Sequence, residues 1–335
     1  MNETEFCLEN LKGLNKKLHL KCIEKKVPTR NGYGDALLEL GKTNKNIMVL
    51  CADLSESTRV DKFKEKYPKR FVQVGVAEQN LVTVAAGLAA MGKTTFASSY
   101  AMFCPGRCWE QIRTTICYNN QNVKIVGAHA GVSVGPDGAT HQALEDIAIM
   151  RSLPNMIVVL PADYQQTKKA TKAIAKFKGP SYMRFARNKT AQFTTIKTPF
   201  KIGEAQVLKK GSDVCIIAAG PVVYECLIAA ELLQNKKVSA TIINSHTIKP
   251  LDQKTILSAA KKCKCIVTVE EAQIIGGLGG AVAELLSEKL PKKLKRIGVK
   301  DHFGESGSPD ELLKKFGFDA NSIYNEVLKF CKNGN

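Results

Sequence analysis

The sequence predicts an α/β protein of two domains, each with a mainly parallel sheet covered by helices. Short apolar segments of strand length alternate with longer segments of helical length along most of the chain. Continuous apolar strands that alternate with helices are typical of parallel sheets buried on both faces. The 335 residues are also enough for two domains of ordinary size with a sizeable core.

The first domain is predicted over residues 27–190. Its buried strands are expected at 46–54, 70–76, 122–129, 156–162 and 181–186. Segments of helical character separate these strands and lie at 31–43, 78–92, 106–118 and 164–177. This alternation predicts a parallel sheet with helices on both faces.

A polar segment without a sustained period breaks the pattern, and we predict the domain linker at 191–204. The second domain is predicted over 205–335. Its strands are expected at 214–220, 239–248, 265–271 and 295–300, and its helices near 222–235, 252–262, 278–289 and 309–317. The charged residues 1–26 are expected to form an N-terminal helical extension outside both sheets.

Composition excludes several classes of function. The formal net charge is +18, but the lysines are scattered and no basic motif is interleaved with aromatic residues, so we expect no nucleic-acid partner. A positive field of this kind attracts anionic substrates such as sugar phosphates. No apolar run reaches the roughly 18–20 residues that span a bilayer, and the N-terminus does not resemble a secretory signal. We therefore expect no membrane association and a cytoplasmic location.

Cysteine and glycine patterns narrow the chemistry further. The chain has 11 cysteines, but none forms a CxxC pair, and several lie in strand-like apolar segments, where a thiol packs as a small hydrophobe. We expect reduced structural thiols and no metal site in this chain. Neither GxGxxG after the first strand nor a GxxxxGK[ST] loop is present, so the usual nucleotide phosphate loops are missing.

Glu78 is the most informative single residue. It follows a predicted strand and begins a helix rich in alanine and glycine. A glutamate at a helix N-terminus often does no more than interact with the helix dipole. A functional interpretation needs further polar and aromatic residues nearby, and the next 60 or so positions supply them.

The segments that follow the next two strands carry these polar and aromatic residues. One carries three aromatic side chains, Tyr100, Phe103 and Trp109. The other is rich in glycine and carries three titratable side chains, His129, Asp137 and His141. Aromatic residues at such spacing are commonly part of a core, but open parallel sheets bind ligands at the carboxyl ends of their strands. Both segments are predicted to lie at that edge.

Several motifs together resemble one family. AEQN, the aromatic segment, GPDGATHQ, RSLPNMIVVLPAD and MRFARN resemble the pyrimidine-binding domain of transketolases, in the family's order. HTIKPLD and VTVEEAQIIGGLGGAV resemble the C-terminal domain of the same family. The resemblance covers roughly residues 27–330. It implies a thiamine-diphosphate enzyme that transfers a two-carbon ketol unit from a ketose phosphate to an aldose phosphate.

The resemblance implies a binding site for thiamine diphosphate. Glu78 matches the family glutamate that contacts N1′ of the aminopyrimidine and stabilises its imino tautomer, whose nitrogen takes the proton from the thiazolium C2. Phe103 matches the aromatic residue that stacks on the aminopyrimidine, and Tyr100 is expected in the same pocket. Asp53 is expected near the cofactor or an interface. A further aromatic residue of many transketolases would fall at Gly106, where this sequence departs from the family.

The resemblance also implies contacts with the donor sugar. Asp137 and His141 match residues that bind the hydroxyl groups near the reacting carbons, and His141 joins Glu78 as an implied catalytic residue. His129 matches a histidine that contacts the sugar phosphate.

Two arginines and a serine complete the implied phosphate site. Arg187 matches a phosphate-binding arginine, and Arg30 and Ser57 fit two further phosphate contacts. The guanidinium group suits this role because its planar fork pairs with two phosphate oxygens. For Arg30 and Ser57 alone, a surface charge and a helix cap are the alternative interpretations.

A complete transketolase also has a domain that holds the diphosphate through Mg²⁺ with a GDG-type motif, and this sequence has no GDG. The resemblance therefore implies a separate N-terminal subunit that holds the diphosphate and most of the Mg²⁺ site, within a heterotetramer of two chain pairs. The turn at 276–280, after Glu270 and Glu271, could bind an anion, but we favour a packing role for it.

Three alternatives stay open at this point. A 1-deoxy-xylulose-5-phosphate synthase is disfavoured by His129, because a resemblance to that family would place an aspartate at this position. The beta subunit of a 2-oxoacid dehydrogenase has the same two domains, but the THQ motif and His129 favour a transketolase. A non-catalytic paralogue is disfavoured because Glu78, Phe103, Asp137 and His141 are all present.

Overall fold

The computed structural model describes residues 5–7, 17–19 and 26–332, with side chains for 26–332. It has two helix-covered, mainly parallel sheets and confirms the predicted fold class. Within these described ranges, no helix is long and apolar enough to cross a membrane.

The first sheet has seven strands. Six are parallel to one another, and the edge strand Thr247–Lys249 runs antiparallel to its neighbour. From one edge to the other, the strands are Thr247–Lys249, Ile157–Val159, Ser181–Arg184, Val123–Ala128, Thr94–Tyr100, Ile47–Cys51 and Phe71–Gln73. The central strands are almost entirely buried, as expected for a parallel sheet covered on both faces.

The second sheet has five strands. Gln206–Lys209 is the antiparallel edge strand, and the other four are parallel. In order across the sheet, they are Gln206–Lys209, Ala240–Asn244, Val214–Ala218, Cys265–Gln273 and Leu294–Val299.

Helices cover both sheets. Those of the first domain are Thr29–Thr43, Ser55–Thr58, Asp61–Lys66, Glu78–Ala90, Trp109–Gln111, Asp146–Arg151 and Tyr164–Lys176. A π-helix, Ile112–Cys117, continues Trp109–Gln111, and three 3₁₀ turns occupy Pro68–Arg70, Gly106–Cys108 and Val132–Val134. Those of the second domain are Val222–Gln234, Gln253–Lys262, Leu278–Lys289, Pro309–Lys315 and Ala320–Lys332. The helix Ala320–Lys332 was not predicted from the sequence.

The two domains share one apolar core. Ile125 and Val158 of the first domain belong to the same buried cluster as Ile217, Ile243 and Ile266 of the second. The strand Thr247–Lys249 of the predicted second domain also completes the first sheet. An added edge strand satisfies backbone groups of Ile157–Val159 that would otherwise be unpaired. The second domain is therefore built into the sheet that carries the candidate site.

Strands also occur in the predicted N-terminal extension. Glu5–Cys7 and Lys17–His19 pair antiparallel, so the helical prediction is wrong for these residues because their backbones are extended strands. The rest of the predicted extension up to residue 25 lies outside the described residues. Lys26–Pro28 pairs with Lys189–Ala191, and 192–205 contain no named helix or strand. The exact domain boundaries stay a prediction.

Candidate functional site

Glu78 lies at the start of the helix Glu78–Ala90, as predicted. Its side chain is only 1% exposed. Oε1 accepts a hydrogen bond of 3.0 Å from the Ser99 hydroxyl, and Oε2 accepts one of 2.8 Å from Nη1 of Arg107. A buried carboxylate is costly unless it is paired, and these two donors supply the pairing.

The aromatic segment and the glycine-rich segment meet at the carboxyl ends of two neighbouring strands. Tyr100 and Ala128 are register partners in the first sheet. The centroid of the Tyr100 ring lies 4.2 Å from the centroid of the His129 ring and 6.3 Å from that of the Phe103 ring. His141 meets the Phe103 ring edge-on, with 5.2 Å between centroids. The structure therefore gathers these predicted side chains into one group.

A second group is cationic. Nη1 of Arg30 lies 3.0 Å from the Ser57 carbonyl oxygen and 3.4 Å from Nε2 of His129. Burial lowers the pKa of Arg30, and the nearby charges of Arg59 and Arg187 lower it further. Mutual repulsion of this kind marks a place where an anion would be stabilised.

His129 joins the aromatic and cationic groups. Burial lowers its pKa to about 3, and the charges of Arg30 and Arg187 contribute to the shift. The imidazole is therefore neutral near pH 7 and offers one N–H donor and one acceptor. Its Nδ1 is buried and has no hydrogen-bond partner among the described residues.

The loop that carries Asp137 and His141 is fixed from both domains. Nη1 of Arg187 donates to Oδ1 of Asp137 at 3.0 Å and to the Val134 carbonyl at 2.9 Å. From the second domain, Glu271 accepts a hydrogen bond of 2.6 Å from the backbone N–H of Ser133. The second domain thus takes part in positioning the loop.

Comparison with known proteins decides the family. The models for the transketolase pyrimidine-binding domain and C-terminal domain match residues 25–192 and 203–323. Over 307 residues the chain is 50% identical to a Methanocaldococcus jannaschii protein named as a transketolase C-terminal section, covering 90% of this chain and 96% of that protein. The chain belongs to the transketolase family.

Two further relatives match almost the whole length of this family member. A Clostridium protein named as a 6-deoxy-6-sulfo-D-fructose transketolase subunit is 42% identical over 294 residues, covering 88% of this chain and 91% of that protein. A solved structure described as a split gene transketolase, inactive beta4 tetramer, has a TM-score of 0.84 and 41% identity, covering 93% of this chain and all of that one. The chain thus corresponds to the C-terminal section of a split transketolase.

Asp53 makes none of the contacts described so far in this transketolase section. Its backbone is left-handed, with φ of 58°, and its carboxylate accepts a hydrogen bond of 3.2 Å from Gln73. With Ser57 it lines a surface hollow of about 460 Å³. Its predicted place near the cofactor or an interface stays a prediction.

Sequence reasoning did not single out Arg59. This arginine ends the short helix Ser55–Thr58, and its Nε donates to Asn31 at 3.1 Å. Its charge contributes to lowering the pKa values of both Arg30 and His129. The available signal was its position two residues after Ser57, in the same turn.

The glycine-rich turn of the second domain is filled by the chain itself. Glu270 accepts hydrogen bonds of 2.7 Å from the backbone N–H groups of Leu278 and Gly279. These groups lie at the start of the helix Leu278–Lys289, where an external anion would otherwise bind. In the described part of the chain, no three His, Cys, Asp or Glu side chains are placed to hold a metal ion.

Proposed function

We propose that this chain is the C-terminal subunit of a thiamine-diphosphate-dependent transketolase that transfers a two-carbon ketol unit between sugar phosphates. The proposal rests on one observation. Glu78, the aromatic group and the cationic group converge at one edge of the first sheet. The proposed location is the cytoplasm. Two of the alternatives named from the sequence are thiamine enzymes and the third is a non-catalytic paralogue, so the reaction itself must be assayed.

The described residues fit the aminopyrimidine end of thiamine diphosphate. Glu78 offers a buried carboxylate that can share a proton with a ring nitrogen, and Phe103 offers an aromatic surface for stacking. A side-chain atom added at the exposed Gly106 would meet nothing within 4 Å, so the position of the further family aromatic is open. When bound, the cofactor supplies a nucleophilic ring carbon that takes the two-carbon unit.

The chain's own residues would then hold the donor sugar. Asp137 and His141 lie on one loop and would bind hydroxyl groups near the reacting carbons. The guanidinium groups of Arg30, Arg59 and Arg187 would hold the phosphate, because arginine pairs with its oxygens through a planar fork. The neutral His129 would donate to the same anion.

We further propose a separate N-terminal subunit that holds the diphosphate and Mg²⁺, in a heterotetramer of two chain pairs. The names of the relatives support this, because they describe a C-terminal section, a transketolase subunit and a split-gene transketolase.

Reconstitution tests the proposal directly. The chain would be co-expressed with a candidate N-terminal subunit that carries a GDG motif, and two-carbon transfer would be assayed with thiamine diphosphate and Mg²⁺. We expect activity from the pair and little from either chain alone. Full activity of this chain without a partner would contradict the proposal, as would reductive acylation of lipoyl groups without ketol transfer.

Glu78→Gln tests the central residue. The amide keeps the side-chain shape and can still accept from Ser99, but it cannot share the proton that activation of the cofactor requires. We expect kcat of the reconstituted enzyme to fall by about 100-fold or more, with normal folding by circular dichroism. Turnover close to that of the unchanged enzyme would remove Glu78 from the proposal.

Arg187→Ala tests the phosphate site. We expect kcat/KM for phosphorylated ketoses to fall by about 10- to 100-fold, because a charge-assisted contact contributes roughly 1.5–3 kcal/mol. Activity with the corresponding free sugars should change little. An equal loss for both kinds of sugar would assign Arg187 to loop structure instead. Arg113→Ala, at an exposed arginine of the π-helix, is the matched control.

A further inference from the structure

Arg107 makes two contacts at once. Its Nη1 donates to Oε2 of Glu78 at 2.8 Å, and its guanidinium carbon lies 5.0 Å from the centroid of the Phe103 ring. The side chain of Arg107 is 51% exposed, while that of Glu78 is 1% exposed. The guanidinium therefore lies at the open side of a buried carboxylate.

The two oxygens of Glu78 have partners of different exposure. Oε1 accepts from Ser99, which is fully buried in the strand Thr94–Tyr100. Oε2 faces the half-exposed guanidinium. Oε2 is therefore the oxygen with the more exposed partner, and Arg107 can move into solvent more easily than the buried Ser99.

The same two contacts are those that the proposed function assigns to the cofactor, and this inference rests on that function. An aminopyrimidine is planar, presents nitrogen to a carboxylate and stacks on an aromatic ring. A guanidinium group is also planar, donates N–H groups to a carboxylate and stacks on aromatic rings. The two groups have the same recognition chemistry and compete for the same oxygen and ring.

We propose that Arg107 is an internal competitor of thiamine diphosphate. In the cofactor-free chain it pairs with Glu78 and lies against Phe103, which keeps a buried carboxylate from being left unpaired. Binding of the aminopyrimidine displaces the guanidinium into solvent. Cofactor affinity is then lowered by the free energy of the contacts that must be broken.

The size of this effect follows from the exposure of Arg107. A half-exposed ion pair and an exposed cation–π contact are each modest interactions, since solvent screens them. Together they correspond to a change in the dissociation constant of about five- to thirtyfold. The direction of the change in cofactor affinity is the informative result, because removal of an arginine near an anionic cofactor would otherwise be expected to weaken binding.

Calorimetric titration of the reconstituted complex with thiamine diphosphate and Mg²⁺ tests the proposal. Arg107→Met removes the charge and the planar group but keeps much of the volume. We expect it to bind the cofactor about five- to thirtyfold more tightly than the unchanged complex. Arg113→Met, at an exposed arginine of the adjoining π-helix, should leave the dissociation constant unchanged. Unchanged or weaker binding by Arg107→Met would overturn the proposal.

A second variant guards against a folding defect. Arg107→Gln removes the charge but keeps an amide that can donate to Glu78, so its affinity should lie between those of the unchanged and Met complexes. Circular dichroism and co-purification with the partner subunit would report folding and assembly. Failure of both variants to fold would show that the ion pair is structural, and the proposal would fail.

Glu78→Gln separates this proposal from the proposed function. Loss of turnover in Glu78→Gln together with unchanged cofactor affinity in Arg107→Met would overturn only the competitor role. Full turnover in Glu78→Gln would remove Glu78 from the proposed function and would overturn the competitor role with it.

Discussion

Each domain of this molecule has a glycine-rich segment after a strand, and the two segments have different surroundings. The segment after Val123–Ala128 carries Asp137 and His141 and joins an aromatic and cationic group. The segment after Cys265–Gln273 begins the helix Leu278–Lys289 and receives the chain's own Glu270. A Cβ at Gly277 would lie 2.0 Å from Glu270 Oε2, so the turn is closely packed around that carboxylate.

The comparison separates a turn that an internal carboxylate fills from a segment where we propose that a ligand binds. At the second turn, the Glu270 carboxylate takes the place that a phosphate would take at a helix N-terminus. At the first segment, the cationic side chains face a place where a ligand phosphate is proposed to bind. The two turns should therefore respond to mutation in opposite ways, one through stability and the other through activity.

Glu270→Ala should give the largest effect on stability. Two backbone N–H groups at the buried start of a helix would lose their acceptor, so we expect a loss of about 2–4 kcal/mol in the free energy of unfolding. Asp137→Ala should change it by less than about 1 kcal/mol, since its ion pair with Arg187 is partly exposed. Urea denaturation of the chain measures both. Equal losses would remove the distinction between the two turns.

The pH dependence of stability should sharpen the same comparison. Burial raises the pKa of Glu270 to about 7 from 4.5, although the N–H groups of Gly279 and Leu278 oppose the shift. The folded chain then holds a proton that the unfolded chain releases, so the stability from this group falls as pH rises from about 4.5 to 7.

Glu270→Gln should remove that fall. The stability difference between the unchanged chain and Glu270→Gln should shift against the unchanged chain by about 1–3 kcal/mol between pH 4.5 and pH 7.5. Burial lowers the pKa of His129 to about 3, so its contribution has the opposite sign, but both proteins carry it and it cancels in the difference. Urea midpoints across this range measure the shift, and parallel curves would contradict the prediction.

The smallest expected effect concerns Glu271, which links the two segments. Glu271→Gln should weaken the charge-assisted hydrogen bond to the Ser133 backbone and cost about 0.5–1.5 kcal/mol in stability. If Glu271 positions the Asp137 loop, KM for the ketose phosphate should rise severalfold while cofactor affinity stays unchanged. A loss of stability without a change in KM would limit Glu271 to a structural role.

The sequence by itself determined the fold class and the order of most elements. Continuous apolar strands such as Val214–Ala218 are buried on both faces, and this requires helices on both sides of a parallel sheet. The position of Glu78 at a helix start followed from the same local pattern. The motif order also pointed to the transketolase family, which the comparisons confirmed.

Only the tertiary structure decided which side chains meet. The strand Thr247–Lys249 completes a sheet whose other strands lie more than 60 residues away in sequence, and no local pattern encodes such a pairing. Arg59 reaches the cationic group through the left-handed end of a four-residue helix. The Glu78–Arg107 ion pair spans 29 positions. The hydrogen bonds from the turn to Glu270 depend on the path of the helix that follows. Long-range packing sets these contacts, because a chain's local preferences fix elements but not their neighbours.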